Sequence, residues 1–175
     1  MPIIACSDSL MPEAESLIRS IFRSMSLFER LSFVVIRSPE SITGRLVMFL
    51  GGVKGKVAFD VYVDEEENVV GTTGLYRYNR DYDEAVWVAW FCVDPKARGR
   101  RIGQALIEHT VARARDAGDK LIRLYTSTDP NEAAAQHLYE KNGFVEIGRK
   151  TGLFGTMIFR EKKIEQAEKP VATDD

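Results

Sequence analysis

The sequence predicts one mixed α/β domain in which a central, mostly antiparallel sheet is flanked by helices. The chain has 175 residues, of which 45% are hydrophobic and 29% charged, and this suits a single domain with its own core. Segments with helical spacing of apolar residues are interspersed with segments of period two, and turn residues separate them. We expect the domain to span residues 1–163 and residues 164–175 to form a disordered tail.

A short strand and helices are predicted for the first third of the chain. After an apolar run at residues 3–6, apolar residues recur at helical spacing over residues 11–22, which predicts an amphipathic helix. A second helical stretch over residues 27–49 is expected to break at Pro39 and to end at the glycines of positions 51–52.

A hairpin and a central strand follow. Alternating apolar residues at 57–63, an acidic turn at 64–68 and a strand-like run at 69–78 predict an antiparallel pair. Residues 86–93 are apolar on both faces, which is typical of a strand covered on both sides. Pro95 is expected to end this strand.

The last third of the chain is predicted to alternate helices and strands. We expect helices at residues 102–117 and 132–141, and strands at residues 121–126, 144–148 and 154–160. The complete order is a strand, helices, a three-strand meander, helix, strand, helix and two strands, which suits a mixed sheet between helices.

Composition and charge exclude several functional classes. The 24 basic and 26 acidic residues give a net charge of -2, which disfavours binding to nucleic acid or to an anionic membrane surface. Cys6 and Cys92 form no CxxC pair, and His109 and His137 have no ligand partners at metal spacing, so we expect no metal. The sequence shows neither a signal peptide pattern nor a long apolar run, and we expect a cytoplasmic protein.

One turn concentrates positive charge in this acidic chain. It follows the central strand and precedes a helix, so glycines, backbone N–H groups and the helix N-terminus lie together. This combination favours a diphosphate site, although solvated turns of Gly and Arg are also common on protein surfaces. Four basic residues fall within six positions: Lys96, Arg98, Arg100 and Arg101.

The segment VDPKARGRRIGQAL, residues 93–106, resembles the acyl-CoA signature of GNAT superfamily N-acetyltransferases, and the order of elements is similar to that of the family. The resemblance implies a sheet with a splayed central strand and acetyl-CoA as co-substrate. It implies that a Val93 N–H faces the thioester carbonyl. The cofactor-binding residues that it implies are Phe91, Cys92, Val93, Arg98, Gly99, Arg100, Arg101, Ile102, Gly103, Gln104 and Ala105.

Arg101 departs from the family signature, because it stands where the family usually has its inner glycine. A side chain with a Cβ rarely adopts positive φ, so we expect an ordinary backbone conformation at this residue. Its guanidinium is then available to hold a phosphate, which is a hypothesis.

The segment NEAAAQHLYEKNGF, residues 131–144, is similar to the second family signature. The resemblance implies that Asn131 contacts the pantetheine amide and that Tyr139 is the general acid for the departing thiolate. Asn131 could equally serve only as a helix cap, and helical spacing alone would make Tyr139 a core residue. The interval from Asn131 to Tyr139 is one residue longer than is usual in the family.

The acceptor amine must lose a proton, and carboxylates precede the central strand in RDYDEAVW. We expect Glu84 to act as the base through an ordered water, while a merely solvated acidic loop is the alternative. Tyr76, Tyr78 and Tyr82 suit a cationic primary amine, carried by a small molecule or a peptide. An acyl-CoA-binding sensory or interaction domain without turnover is the alternative function, and pairing of edge strands into a homodimer remains open.

Overall fold

The structure, a computed structural model, describes residues 2–22, 25, 27–54, 58–152 and 155–166. One sheet of seven strands has the order β1-β2-β3-β4-β5-β7-β6. The strands are β1 (Ile3–Ala5), β2 (Ala58–Val63), β3 (Val69–Tyr76), β4 (Ala85–Val93), β5 (Leu121–Ser127), β6 (Val145–Gly152) and β7 (Gly155–Lys163). The pair of β4 and β5 is parallel and the other pairs are antiparallel, which confirms the mixed, mostly antiparallel sheet.

Five α-helices cover the sheet in the described part of the chain. Their bounds are α1 (Met11–Ile21), α2 (Leu27–Arg37), α3 (Ile42–Leu50), α4 (Ile102–Asp116) and α5 (Ala133–Lys141). The helical stretch that was predicted at 27–49 is divided at Pro39, as expected, and Ser41 caps the second piece by accepting from the Gly44 N–H. None of the described helices has both the length and the apolar character needed to cross a membrane.

The two faces of the sheet have separate cores. Helices α1 and α2 pack on one face through a cluster that includes Ile18, Phe33, Val61 and Cys92. On the other face, α4 and α5 pack against Val86, Val88, Ile122 and Leu124. We call these the α2 face and the α4 face. Because strand side chains alternate, each residue of β4 and β5 can be assigned to one of the two faces.

The last strands are longer than the sequence suggested. The strand predicted at 144–148 extends from Val145 to Gly152, and its partner runs to Lys163. Ile164 is buried at 7% exposure and its N–H donates to the Lys120 carbonyl, so the packed chain continues past the expected boundary at residue 163. Residues 167–175 of the predicted tail, Phe154 and Val57 lie outside the described residues.

Candidate active site

A cleft opens in the middle of the sheet between β4 and β5. These parallel strands pair only at their beginnings, where Ala85–Trp87 lies beside Leu121–Arg123. Beyond that point, residues 88–93 and residues 124–127 do not pair with each other. The backbone of β4 in this open half can therefore pair with an extended ligand as though with another strand.

A β-bulge in β4 shapes the open half of the cleft. Thr72 faces Cys92 and Gly74 faces Ala89, so a single residue of β3 opposes both Trp90 and Phe91. Trp90 has φ 46°, which is rare for a residue with a side chain. Its ring stacks on Phe33 with centroids 5.4 Å apart, and its Nε1 donates to Ser32 Oγ at 3.2 Å. Contacts from α2 therefore hold the bulge in place.

The bulge sends the side chains of the next three residues to alternating faces. Phe91 and Val93 pack on the α4 face, and Cys92 joins the core of the α2 face. Burial raises the pKa of the Cys92 thiol to about 12, although Thr72 Oγ1 lies 3.1 Å from its Sγ. The thiol is therefore neutral near pH 7, and Cys92 can contribute only its backbone to a ligand in the cleft.

The basic turn stands at the open end of the cleft. A 3₁₀ turn at Pro95–Ala97 is capped by Asp94, which accepts from the Lys96 N–H at 2.8 Å. Gly99 has φ 79°, and the next helix begins at Ile102 without a side-chain cap. The N–H groups in the first turn of α4 are therefore available to an anion, and the helix dipole favours negative charge there.

Charge and packing distinguish the residues of this turn. Within the described residues, the side chains of Lys96, Arg98, Arg100 and Arg101 form no ion pair. Ile102 is buried and fixes the start of α4. Gly103 allows α4 to approach α5, because a Cβ there would lie 3.3 Å from Leu138 Cδ2.

Ala105 and Gln104 follow in the first turns of α4. The Ala105 N–H donates to the Arg101 carbonyl at 3.0 Å, so it is already satisfied within the helix. The Gln104 side chain donates to Asn142 Oδ1 at 2.8 Å and accepts from Asn142 Nδ2, and it also bonds Glu108. Gln104 therefore links α4 to the end of α5, and its side chain already forms hydrogen bonds within the protein.

The expectation of an ordinary backbone at Arg101 is wrong. Arg101 has φ 61° and ψ 14°, the left-handed conformation that a glycine would adopt most readily. The left-handed position of the turn is therefore occupied by an arginine. A left-handed conformation costs a residue with a Cβ about 1–2 kcal/mol, which the surrounding structure must offset.

We expect Arg101→Gly to change stability little and to weaken the binding of acetyl-CoA. The free energy of unfolding should change by less than about 1 kcal/mol, because relief of backbone strain is offset by the entropy of glycine. The dissociation constant of acetyl-CoA should rise about fivefold, since a guanidinium is lost from a phosphate site. Calorimetry and urea denaturation measure the two effects, with Arg101→Lys as the variant that keeps the charge. An unchanged dissociation constant in Arg101→Gly would remove the phosphate role.

Tyr139 borders the cleft from the α4 face. Its ring lies 5.5 Å from that of Phe91 and 5.8 Å from that of Phe144, and the residue is 4% exposed. Burial raises the pKa of Tyr139 well above the usual value of a phenol, and Glu132 and Cys92 raise it further. The hydroxyl is therefore protonated at neutral pH and is a donor. Tyr139 belongs to the core, and it lies beside the strand that the cofactor is expected to join.

Asn131 does not cap α5, which corrects the capping interpretation. The Asp129 side chain caps the short turn Pro130–Glu132 by accepting from the Asn131 N–H at 2.8 Å, and Asn131 itself is exposed. Its predicted contact with the cofactor is not tested and stays a prediction.

The neighbouring Glu132 is the residue that sequence reasoning missed. Its carboxylate accepts from the Ser127 N–H at 2.8 Å and from Ser127 Oγ at 2.6 Å, which ties the end of β5 to α5. The interval from Asn131 to Tyr139 already pointed to Glu132, because it is one residue longer than is usual in the family. The usual interval, counted back from Tyr139, ends at Glu132.

Glu84 lies at the opposite end of β4. Its carboxylate accepts from Arg123, which also binds Asp81 and Glu161. From Glu84 to Phe91 the strand extends roughly 20 Å at about 3.3 Å per residue. The structure thus does not bring Glu84 beside Tyr139, and its predicted role as the base would require a chain of water molecules.

The positions of the two histidines, His109 and His137, do not indicate a catalytic role. His109 Nε2 lies 3.1 Å from Oδ2 of Asp60, a buried carboxylate that also accepts from Arg113. His137 is exposed. Within the described residues, no group of three or more His, Cys, Asp or Glu side chains could hold a metal ion.

Comparison with known proteins agrees with this geometry. Solved structures with similar folds include a GNAT-family acetyltransferase from Staphylococcus aureus Mu50 (21% identity, TM-score 0.71, 94% of this chain and 99% of that chain covered). They also include an aminoglycoside 6'-acetyltransferase type Ii (18%, 0.67, 95% and 99%) and the ribosomal-protein-S18-alanine N-acetyltransferase of Escherichia coli (16%, 0.66, 97% and 97%). A search of curated proteins finds no significant match. The family model "Acetyltransferase (GNAT) domain" matches residues 57–146, which are more than half of the chain, and the protein therefore belongs to the GNAT acetyltransferase family.

Proposed function

We propose that the protein transfers an acetyl group from acetyl-CoA to a primary amine by direct attack in a ternary complex. The observation that carries this proposal is the open half of the cleft. It leads to a helix N-terminus and to basic side chains that have no side-chain cap and no ion pair within the described residues. An extended pantetheine arm suits the open half of the cleft, and a diphosphate suits the helix N-terminus with its basic side chains.

Different residues of β4 and of the turn would bind different parts of the cofactor. Backbone N–H groups at the start of α4 would donate hydrogen bonds to the diphosphate, and Arg98 and Arg100 would add charge beside it. The backbone of Phe91 and Val93 would pair with the pantetheine arm. When it is bound, acetyl-CoA supplies a thioester whose carbonyl carbon is open to attack by a neutral amine.

In the transfer, the amine nitrogen forms a bond to the acetyl carbon and the carbon–sulfur bond breaks. In this proposal the Val93 N–H would stabilise the negative charge on the carbonyl oxygen, and Tyr139 would donate to the leaving sulfur. An amine of pKa near 10.4 is deprotonated at pH 7 at a cost of about 4.6 kcal/mol, so a base or a chain of waters must accept its proton. In this proposal Glu84 would take the proton through a chain of water molecules, since its carboxylate lies at the far end of β4 and is bonded to Arg123.

Calorimetric titration with acetyl-CoA and CoA tests the proposal directly. We expect both to bind, and we expect Arg98→Ala to raise the dissociation constant about tenfold because a charged hydrogen bond to phosphate is lost. Added salt should reduce this difference. Arg45→Ala, an exposed arginine of α3, is the matched control and should bind as the wild type does. Absence of heat with both ligands contradicts the proposed function, and CoA release with an amine distinguishes turnover from binding alone.

A further inference from the structure

The backbone carbonyl of Trp90 is held from β3 by a buried side chain. A bulge interrupts the ladder of backbone hydrogen bonds between two strands, and Trp90 lies at the bulge of β4. Thr72 Oγ1 donates to the Trp90 carbonyl, and Thr72 is fully buried. The contacts from α2 hold the side chain of Trp90, whereas this hydroxyl holds its main chain. Thr72 is therefore a second and separate constraint on the bulge.

Cys92 extends the hydrogen bond to this carbonyl into a short chain. A carbonyl oxygen can only accept, so the single hydroxyl proton of Thr72 is directed at Trp90. Cys92 Sγ lies 3.1 Å from Thr72 Oγ1, and the thiol keeps its proton because burial raises its pKa to about 12. The Cys92 S–H therefore donates to Thr72 Oγ1. Hydrogen bonds in such a buried chain polarise and strengthen one another.

The direction of the Trp90 carbonyl decides where the next N–H group points. The peptide is trans and planar, so its C=O and N–H point in opposite directions. Because β4 lies between β3 and the cleft, a carbonyl that is directed at β3 turns the Phe91 N–H towards the cleft. The Val93 N–H faces the same way, since the Asp94 N–H donates to the Val70 carbonyl of β3 and successive residues of a strand alternate.

This orientation of the peptide needs support from its surroundings. Trp90 has φ 46°, a conformation that is unfavourable for a residue with a side chain and that persists only where neighbouring groups impose it. The hydroxyl of Thr72 is such a group, because it bonds the carbonyl of the strained residue itself. Without it, the peptide between Trp90 and Phe91 is expected to rotate, and the Phe91 N–H would leave the cleft.

We infer that Thr72 is a positioning residue: its hydroxyl, supported by the Cys92 thiol, holds the peptide between Trp90 and Phe91 so that the Phe91 N–H faces the bound cofactor. The use of this N–H by acetyl-CoA rests on the proposed acetyl transfer, whereas the orientation of the peptide does not. Thr72 acts through the peptide, so it contributes to binding and turnover without contributing an atom to the reaction.

Selective labelling can observe this one peptide, because Trp is followed by Phe only at residues 90–91. Protein with ¹³C in the tryptophan carbonyl and ¹⁵N in phenylalanine gives a single coupled carbonyl–amide signal in a triple-resonance NMR spectrum. In Thr72→Val we expect the carbonyl signal to move upfield, because its hydrogen bond is lost. The shift of the amide signal on addition of acetyl-CoA should become smaller. Thr72→Ser keeps the hydroxyl and should restore both.

Binding and turnover distinguish positioning from a loss of stability. Thr72→Val should raise the dissociation constant of CoA about fivefold and lower kcat/KM at least about tenfold, at temperatures where the variant is folded. Thr72→Ser should stay within about threefold of the wild type. Thr110→Val is the matched control, because Thr110 is also buried, donates to the Leu106 carbonyl of α4 and bonds the Thr73 hydroxyl. It should lose stability but leave the labelled carbonyl, the dissociation constant and kcat/KM unchanged.

Several results would overturn the inference. They are an unchanged carbonyl signal in Thr72→Val, equal losses in Thr72→Val and Thr72→Ser, and a moved carbonyl signal with unchanged binding and turnover. If Thr72→Val does not fold, Cys92→Ala decides the same point: it should move the carbonyl signal upfield by a smaller amount, and an unchanged signal overturns the inference. A wild-type protein that does not bind CoA contradicts the proposed function, while the carbonyl signals still decide whether Thr72 holds the peptide.

Discussion

Tyr139→Phe should lower kcat about 30-fold, a loss of about 2 kcal/mol of transition-state stabilisation. Burial raises the pKa of this phenol above that of a thiol, so complete proton transfer to the sulfur is unfavourable before the carbon–sulfur bond breaks. In the proposed mechanism the hydroxyl would therefore act mainly as a hydrogen-bond donor to the developing thiolate. The dissociation constant of acetyl-CoA should remain within about twofold, because this bond strengthens only during the reaction.

The pH profile and a second tyrosine provide the controls for this variant. Because the pKa of Tyr139 is raised, its ionisation should cause no decline of kcat in the wild type below about pH 10. Tyr62→Phe, in β2 and two strands away from the cleft, keeps its ring and should turn over as the wild type does. A decrease in kcat of less than about threefold in Tyr139→Phe, equivalent to ~0.65 kcal/mol, would remove Tyr139 from the mechanism.

Trp90→Ala should reduce both stability and catalysis. The ring stacks on Phe33, meets Phe22 edge-on at 5.6 Å and donates to Ser32, so we expect the free energy of unfolding to fall by about 3 kcal/mol. Without these contacts the bulge is no longer held, and the backbone of Phe91 and Val93 should lose the position from which it is proposed to bind the thioester. At temperatures below the unfolding transition, we expect kcat/KM of the variant to be at least about tenfold lower than that of the wild type.

Two milder variants separate the ring from the hydrogen bond. Trp90→Phe keeps an aromatic ring against Phe33, and Ser32→Ala removes the acceptor of the Trp90 Nε1 together with the hydrogen bond that Ser32 Oγ donates to the Glu29 carbonyl at 2.7 Å. Each should cost about 1 kcal/mol in unfolding experiments and leave kcat/KM within about threefold. A folded Trp90→Ala protein with unchanged kcat/KM would show that the bulge does not position the reacting groups.

Local patterns predicted most of the fold because each element carries its own signal. The alternation in β2, the doubly apolar β4 and the glycine after α4 were correctly interpreted before any tertiary contact was known. The burial of Ile164 was not predicted, because it depends on residues distant in sequence: its side chain joins the core of the α4 face, and its N–H donates to the Lys120 carbonyl. Arg101 was misjudged for a related reason, since the packing of Ile102 outweighs the intrinsic preference of one residue.

The sequence by itself determined the order of elements, the family signature at the turn and the excess of positive charge in it, because these depend on residues adjacent in the chain. Only the tertiary structure decided which side chains meet across the cleft. It placed Glu132 rather than Asn131 against the end of β5, moved Glu84 to the far end of β4 and assembled tyrosines from two strands and a loop into one layer. These contacts depend on strand register and on the bulge at Trp90, which local sequence patterns do not specify.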